Sequence, residues 1–316
     1  MLLSFVIPCY RSAKTLEKVV ADIESQINAH PDYSSEIILV NDGSPDNTFE
    51  VIESLTKKYN NVVGIDIAKN QGQQNALMAG FRASRGDIIL ASDDDGQTPV
   101  EISFQLIDKL IKEDYDVVCA KYGDRGKRTL FRRLGTWADR KMVKVFLEKP
   151  DDISTSVFFA ARRFVIDEIT RYENPYPYWT GLLLRTTHNI GNVEVTQKDR
   201  LAGSSGYNLR KLLGLWINGC TTFSIKPLRF ATLTGMIIAL IGFVTIIVIA
   251  VQKFVNPNMM SGWTSMIATM LLIGGLIMMM LGVIGEYIGR IYLSLNGSPQ
   301  YVIRRIIDNR QESDVK

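Results

Sequence analysis

The run DIILASDDDGQTP, Asp87 to Pro99, joins a short apolar segment directly to three adjacent carboxylates. Ile88-Ile89-Leu90-Ala91 is a continuous apolar stretch bounded by turn residues, the pattern of a strand buried on both faces. The strand delivers three like charges to one point, where joint ionisation is costly unless a cation sits among them. The same rhythm recurs around it. LSFVIP, EIILVN, NVVGIDIA and DVVCAK read as further strands. Helices are expected from about Ser12 to Asn28, across SPDNTFEVIESLTKKY with Ser44 or Asp46 able to cap it, from about Gly72 to Ser84, and from about Pro99 to Glu113. Apolar strands alternating with helices predict an α/β fold. Its sheet is mostly parallel, covered on both faces, and its ligands bind beyond the carboxyl ends of the strands.

The polar residues at those ends converge. The first strand ends in Pro8-Cys9-Tyr10, the second in VNDGSPD with Asp42 and Asp46, the third runs into KNQGQQNA, and the fourth ends in the acidic triplet. Asp-Gly and Asn-Gly pairs are ordinary turn residues, but four such ends at one edge point to a site. Hard divalent cations suit clustered carboxylates, and Mg²⁺ completes its shell with water and substrate phosphate oxygens. Asp93 and Asp95 stand one residue apart at the strand end, with Gln97 able to add a neutral oxygen. An EF-hand fails because Ala91 occupies its first ligand position. Neither G-x-G-x-x-G after the first strand nor a P-loop is present. A metal bridging a diphosphate remains, with sugar nucleotides as the leading ligands.

The chain has 316 residues and a formal net charge of +3. No charged residue stands between Arg229 and Lys253, nor between Lys253 and Glu286. Each gap exceeds the roughly 20 apolar residues that cross a bilayer, and the break QKFVNPNMMSGW reads as a turn. Lys226 and Arg229 precede the first span and Arg290, Arg304, Arg305 and Arg310 follow the second, which puts both termini in the cytoplasm. No signal peptide is expected, since MLLSFVIPCY lacks a basic n-region and a cleavage site. Cys9, Cys119 and Cys220 are odd in number and far apart, which suits a reducing compartment. The expected organisation is a cytosolic catalytic domain over 1–206, an amphipathic juxtamembrane segment over 207–228, membrane helices over 229–252 and 263–288 with a short turn at 253–262, and a basic cytosolic tail over 289–316. Glycines 235, 242, 274, 275, 282 and 285 permit close helix contact, so self-association is one expectation and monomeric anchoring the other.

Together VIPCY, IILVNDGSPDNT and NQGQQNALMAGFRASRGDIILASDDDGQTP resemble family 2 glycosyltransferases of the GT-A fold. The resemblance is to the polyprenyl-phosphate branch, relatives of dolichyl-phosphate mannose synthase, and the two C-terminal spans match its bacterial members. It implies a Rossmann-like GT-A domain and a metal-dependent hexosyltransferase. The partners implied are a nucleotide-sugar donor (UDP preferred), a polyprenyl phosphate acceptor (undecaprenyl phosphate in a bacterium) and membrane lipid, with no nucleic acid. By position, Pro8, Tyr10, Val40 and Asp42 would hold the nucleoside, with Asp46, Asn70, Gly72, Asp94 and Lys121 also on the donor side. Asp93 and Asp95 would be the catalytic metal-and-diphosphate pair, with Gln97 a further ligand of Mg²⁺ or Mn²⁺. Some positions depart from the family. Asp94 replaces a small residue, Asn41 replaces the first acid of an Asp-Asp pair, and Lys121-Tyr122 and Phe159 stand where relatives carry Arg.

On the acceptor side, GDRGKRTLFRRLGTWADRKMVKVFLEK interleaves apolar residues with Arg132, Arg133, Arg140 and other cations, as a basic amphipathic helix at an anionic membrane does. Arg200, Gly203, Ser205 and Tyr207 resemble the family's Arg-x-x-Gly-x-Ser-x-Tyr stretch. Arg200, assigned a catalytic role, together with Ser205, Tyr207 and Lys211 is expected to bind phosphate. A processive polysaccharide synthase is the rival reading, since QKDRL at 197–201 approaches Gln-x-x-Arg-Trp, but Leu201 replaces the Trp. A non-catalytic membrane scaffold with the same fold is the other.

Overall fold

The computed structural model describes residues 1–96, 99–122, 150, 153–195, 226–255 and 262–310. They form two compact units, Met1–Leu213 with Gly297–Lys316, and Gly214–Asn296. In the first unit the described elements run β1 (Leu2–Cys9), α1 (Leu16–Asn28), β2 (Ser34–Asn41), α2 (Thr48–Lys58), β3 (Val62–Ile67), α3 (Gln73–Ala83), β4 (Ile88–Ala91), α4 (Ile102–Lys112), β5 (Val117–Tyr122), β6 (Phe159–Arg162), α5 (Arg163–Thr170), α6 (Trp179–Thr186) and β7 (Ile190–Val195). The second unit contributes α7 (Lys226–Val255) and α8 (Trp263–Leu295), and the chain then supplies β8 (Ile303–Asp308) to the first.

The strands form one sheet in the order β7-β5-β6-β4-β1-β2-β3-β8. β1 pairs in parallel with β2 and β4, β2 with β3, and β5 with β7, while β6 and β8 run antiparallel to their neighbours. Alternation along the strands divides the core. Leu3, Phe5 and Ile7 of β1 join one buried cluster with Leu16, Val19 and Val20 of α1, Ile52 and Leu55 of α2, and Leu106 and Ile107 of α4. Val6 and Val40 face the other way onto α3, so closely that a Cβ added at Gly80 would lie 2.3 Å from Val6 Cγ1. Both faces are therefore covered, and burying each Leu or Ile contributes about 1.5–3 kcal/mol. Parallel connections bring the carboxyl ends of β1 to β4 to one edge.

The C-terminal segment differs from the expected basic tail. β8 closes the β3 side of the sheet, with Val63 opposite Asp308 and Asp66 opposite Arg305. Its arginines are used up by the fold. Arg304 meets Asp66 at 3.3 Å, and Arg305 meets Glu53 at 2.6 Å and covers the Phe49 ring. Beyond it, Arg310 pairs with the buried Glu36 and with Asp308. Glu36 also accepts from Ser4 Oγ and from the amides of Arg85 and Gly86. Ahead of β8, Gln300 is buried, bonded to Arg82 of α3 and to the carbonyls of Tyr172 and Asn174.

In the second unit, α7 and α8 extend for 30 and 33 residues, beyond the expected bounds. At 1.5 Å per residue they are about 45 and 50 Å long, more than a hydrocarbon core. Among the described residues, Leu272–Leu295 is long and apolar enough to cross a membrane and is not buried within the protein, and Ala231–Gly242 is a shorter apolar stretch. Leu233, Met236 and Leu240 of α7 and Met270, Leu272 and Met278 of α8 are exposed, an apolar surface that soluble proteins do not carry. A Cβ added at Gly235 would lie 2.7 Å from Met280 Cε, whereas one added at any of the other five glycines of the spans would meet no described atom beyond its own helix within 4 Å.

Glu36 and Arg310 form a pair whose side chains are 3% and 11% exposed, and removing one partner of such a pair is costly. Arg310→Ala should lower unfolding stability at neutral pH by about 3 kcal/mol, read from urea unfolding of the detergent-solubilised protein. The hydrogen bond from Arg310 holds Asp308 below its ordinary carboxylate range. A depressed native pKa adds stability that is present above the unfolded value and lost as pH falls through the native one. The gap between wild type and Arg310→Ala should therefore narrow on acidification below the ordinary Asp range.

Candidate functional site

Four loops meet at the carboxyl edge of β1 to β4, and hydrogen bonds join each to the next. The loop after β1 reaches the loop after β2 through its amides: Arg11 N donates to Ser44 Oγ at 3.2 Å and Ser12 N to Thr48 Oγ1 at 2.9 Å. Arg11 adopts a left-handed φ of 58° there. The loop after β2 holds the loop after β3 with one carboxylate. Asp42, 3% exposed, accepts from Gln71 N at 2.7 Å and Gly72 N at 2.9 Å, and Asn70 Nδ2 donates to its carbonyl at 3.2 Å. Burial pushes the Asp42 carboxyl above its ordinary range, and the two amide donors pull the other way. Gly43 makes this approach feasible, since its φ is +57° and a Cβ there would lie 2.5 Å from Asn70 N.

The third loop holds the acidic tip. Gln73, first residue of α3, donates from Nε2 to Asp93 Oδ1 at 2.9 Å. The tip then reaches back to the first loop, because Asp94 Oδ2 accepts from Tyr10 N at 3.1 Å and from Ser12 Oγ. Burial raises the Asp94 carboxyl against the pull of these donors. Cys9 is fully buried beneath it. Burial and the Asp94 charge push the thiol well above its ordinary value, so it packs as a protonated side chain. Cys9 and Cys119 are both free thiols.

The expected donor residues therefore divide. Asp42, Asn70, Gly72, Asp93 and Asp94 come together in the linked loops. Tyr10 stands at the rim with its ring 44% exposed and the Arg11 guanidinium 5.5 Å from its centroid, free to offer a face to a planar ligand. Pro8 and Val40 are paired in register and buried under the edge. Asp46 accepts from Thr48 N and Oγ1 beside the start of α2, whose N-cap position is Asn47. Lys121 lies on β5 with β6 between it and β4. Cys119 and Ala91 both face Phe159, two strand spacings or about 10 Å apart. The Lys121 ammonium sits 3.5 Å from Glu194. Phe159 is stacked on Trp179 at 3.8 Å with Phe81 beside both, and Asn41 donates to the buried Asp66 at 2.7 Å, where a second acid would repel. Ser12, Gln73 and Gln74, whose Oε1 accepts from Trp179 N at 2.9 Å, are the participants that sequence reading overlooked. The polar run NQGQQN was the signal for Gln73 and Gln74; Ser12 lies outside it.

Gln97, Arg132, Arg133, Arg140, Arg200, Ser205, Tyr207 and Lys211 lie outside the described residues. Among the described residues no group of three or more His, Cys, Asp or Glu is arranged to hold a metal ion. Asp94 is engaged with the first loop, and Asp93 and Asp95 flank it on the same tip. Two carboxylates with other oxygens from water and phosphate are a donor set that Mg²⁺ accepts, so the residues fit a hard cation that shares its ligands with a substrate.

Comparison with known proteins agrees with this geometry. The pattern of glycosyl transferase family 2 matches residues 4–171, and that of the GtrB C-terminal hairpin matches residues 226–291. The chain is 32% identical over 302 residues to an uncharacterized glycosyltransferase of Bacillus subtilis, covering 96% of this chain and 93% of that one. It is 30% identical over 310 residues to the prophage bactoprenol glucosyl transferase homolog of Escherichia coli, covering 97% and 99%. Among solved structures, the glucosyl-3-phosphoglycerate synthase of Mycobacterium tuberculosis, crystallised with Mn²⁺, uridine diphosphate and phosphoglyceric acid, superposes with a TM-score of 0.52. It is 19% identical, covering 70% of this chain and 76% of that one, a likeness of fold.

The Asp42 ties generate a direct expectation. Hydrogen bonds to a charged acceptor contribute about 2 kcal/mol, equivalent to roughly 30-fold in a local opening equilibrium. Asp42→Ala should accelerate amide exchange at Gln71 and Gly72 by that order, measured by hydrogen–deuterium exchange mass spectrometry. Unchanged exchange would show that this carboxylate does not hold the loop.

Proposed function

The chain belongs to glycosyl transferase family 2, in the polyprenyl-phosphate branch with its C-terminal hairpin, and from that premise we propose that it moves one sugar from a UDP-sugar to undecaprenyl phosphate at the cytoplasmic face of the membrane. The observation that carries the reading is the linked edge of four loops that brings the acidic tip, Asp93 to Asp95, beside Tyr10 and the Asp42-held loop, in a chain that also bears the hairpin. The Escherichia coli relative, which this chain matches over nearly its whole length, is named for glucosyl transfer to bactoprenol, and that supports the acceptor class.

On this reading Tyr10 offers its exposed ring to the base, and Asp42 fixes the loop that flanks the nucleoside. Asp93 and Asp95, with Gln97, hold Mg²⁺ or Mn²⁺ against the donor diphosphate. When bound, such a cation offsets the negative charge that grows on the departing nucleoside diphosphate. The acceptor phosphate carries about −1.5 to −2 charge at neutral pH and needs no deprotonation, so the chain has no need of a strong general base. A phosphate oxygen bonds to the anomeric carbon from the face opposite the leaving group as the bond to UDP breaks, and configuration inverts. Arg200, Ser205, Tyr207 and Lys211, with Arg132, Arg133 and Arg140, are proposed to hold the acceptor phosphate and the membrane surface; Lys121, paired with Glu194 on the outer strand, takes no part in this reading.

Chain connectivity supports a two-crossing anchor. The chain leaves the catalytic unit after Leu213 and returns as β8 of the same sheet. A segment that departs from and returns to one body crosses a bilayer an even number of times, so α7 crosses if α8 does. Lys226, Arg229 and Arg290 beside the hairpin support a cytoplasmic catalytic unit.

The test is product analysis. Purified full-length protein, given UDP-sugars, Mn²⁺ or Mg²⁺ and undecaprenyl phosphate, should yield a single sugar on the lipid phosphate. Asp93→Ala and Asp95→Ala should each lower turnover by about 10²–10³-fold, the cost of removing electrostatic support for a charged leaving group. A polymeric product, no product, or full turnover by the double variant in chelated buffer would overturn the proposal.

A further inference from the structure

Asp94 replaces a small residue, and its charge poses a problem that the proposed reaction does not solve. A third outward carboxylate would repel the donor diphosphate unless a cation claimed it. The geometry shows another use. Both donors that reach Asp94, Tyr10 N at 3.1 Å and Ser12 Oγ, meet the same oxygen, Oδ2. Both belong to the loop after β1, more than 80 residues away in the chain. That loop is fastened on its other side to the loop after β2, which Asp42 joins to the loop after β3, which Gln73 joins to Asp93. Among the ties described above, the Asp94 contacts return the sequence to its start.

We infer that Asp94 is a positioning residue that fastens the Tyr10–Ser12 loop to the acidic tip, so that the part of the site facing the nucleoside and the part facing the diphosphate and cation are held at one fixed spacing. Its carboxylate acts as a hydrogen-bond acceptor between two loops, and neither ligates the cation nor touches the donor. Without it the first loop keeps its ties to the second but loses its fixed distance from Asp93 and Asp95. A nucleoside diphosphate must bridge that distance, so its affinity falls while the affinity of the tip for the cation does not. The nucleoside and diphosphate assignments rest on the proposed function. The tie between the loops does not.

The hydrogen-bonding role and the charge role separate in one substitution. Asn at 94 presents an oxygen that can accept from both Tyr10 N and Ser12 Oγ but carries no charge. Asp94→Ala should weaken UDP binding in Mn²⁺, measured by titration calorimetry on the full-length protein, by about ten-fold, with the Mn²⁺ concentration for half-maximal UDP binding unchanged. It should also speed tryptic cleavage after Arg11, which is exposed within the tied loop. Asp94→Asn should restore both. Ser12→Ala, which removes one donor without altering the tip, should give an intermediate result, and it carries the test if Asp94→Ala fails to fold. The inference is overturned if Asp94→Asn matches Asp94→Ala or shifts the Mn²⁺ requirement, because the charge is then what matters. It is equally overturned if Asp94→Ala changes neither cleavage nor affinity. Wild-type protein that binds no UDP would sink the donor assignment alone, and the cleavage rates at Arg11 would still decide the tie.

Discussion

Mutual tethering of four loops across the carboxyl edge of the sheet is the constraint on which the rest of the site depends. Ordering a loop costs backbone entropy of about 1–2 kcal/mol per residue, and no single loop here has a core of its own to offset it. Each is held by its neighbours through groups that would otherwise be unsatisfied: the amides of Tyr10, Arg11, Ser12, Gln71 and Gly72 all end on side-chain oxygens of another loop. Such an arrangement leaves little room for independent adjustment. Gly43 shows how tight it is, since any side chain there would strike the backbone of residues 69 and 70. The puzzle of three adjacent acids resolves within the same network. One of the three is engaged as an acceptor between loops, and its donors offset part of the repulsion it still feels from Asp95.

The strands and helices before residue 122 were legible because each carries a complete local signal. Buried parallel strands read as unbroken apolar runs, and α1 and α4 carry apolar residues at helical spacing. Boundaries shifted where polar residues do loop work. α1 begins at Leu16 and not near Ser12, whose amide and side chain are committed to Thr48 and Asp94. β6, β7 and β8 escaped notice for a different reason. FAAR, IGNVEV and IRRIID are short and charged or small, and they become strands only through partners far away in sequence. The site itself was half legible. The acids at strand ends announce chemistry, but the partners of Asp42, Asp93 and Asp94 are 20 to 84 residues distant, and composition carries no trace of pairing.

Departures from the family pattern find local explanations where the structure describes them. Phe159 belongs to an aromatic cluster with Phe81 and Trp179 beneath the edge, a setting in which a guanidinium would be buried without a partner and would carry a desolvation cost. Asn41 satisfies Asp66, which Arg304 also meets, so one negative charge is shared between a neutral amide and a cation. Lys121 is drawn toward Glu194 on the outer strand, an exposed pair of small energetic weight.

The position of β8 in the chain has a consequence for biogenesis. The strand that seals the β3 edge, and the arginine that neutralises Glu36 of β2, are synthesised after both long apolar helices. On the ribosome the nascent enzyme therefore has an open sheet edge and an uncompensated acid until the hairpin has already emerged. The sheet of the first unit is complete only once the hairpin has been made, so the final edge of the fold is ordered after the hairpin by the direction of translation itself.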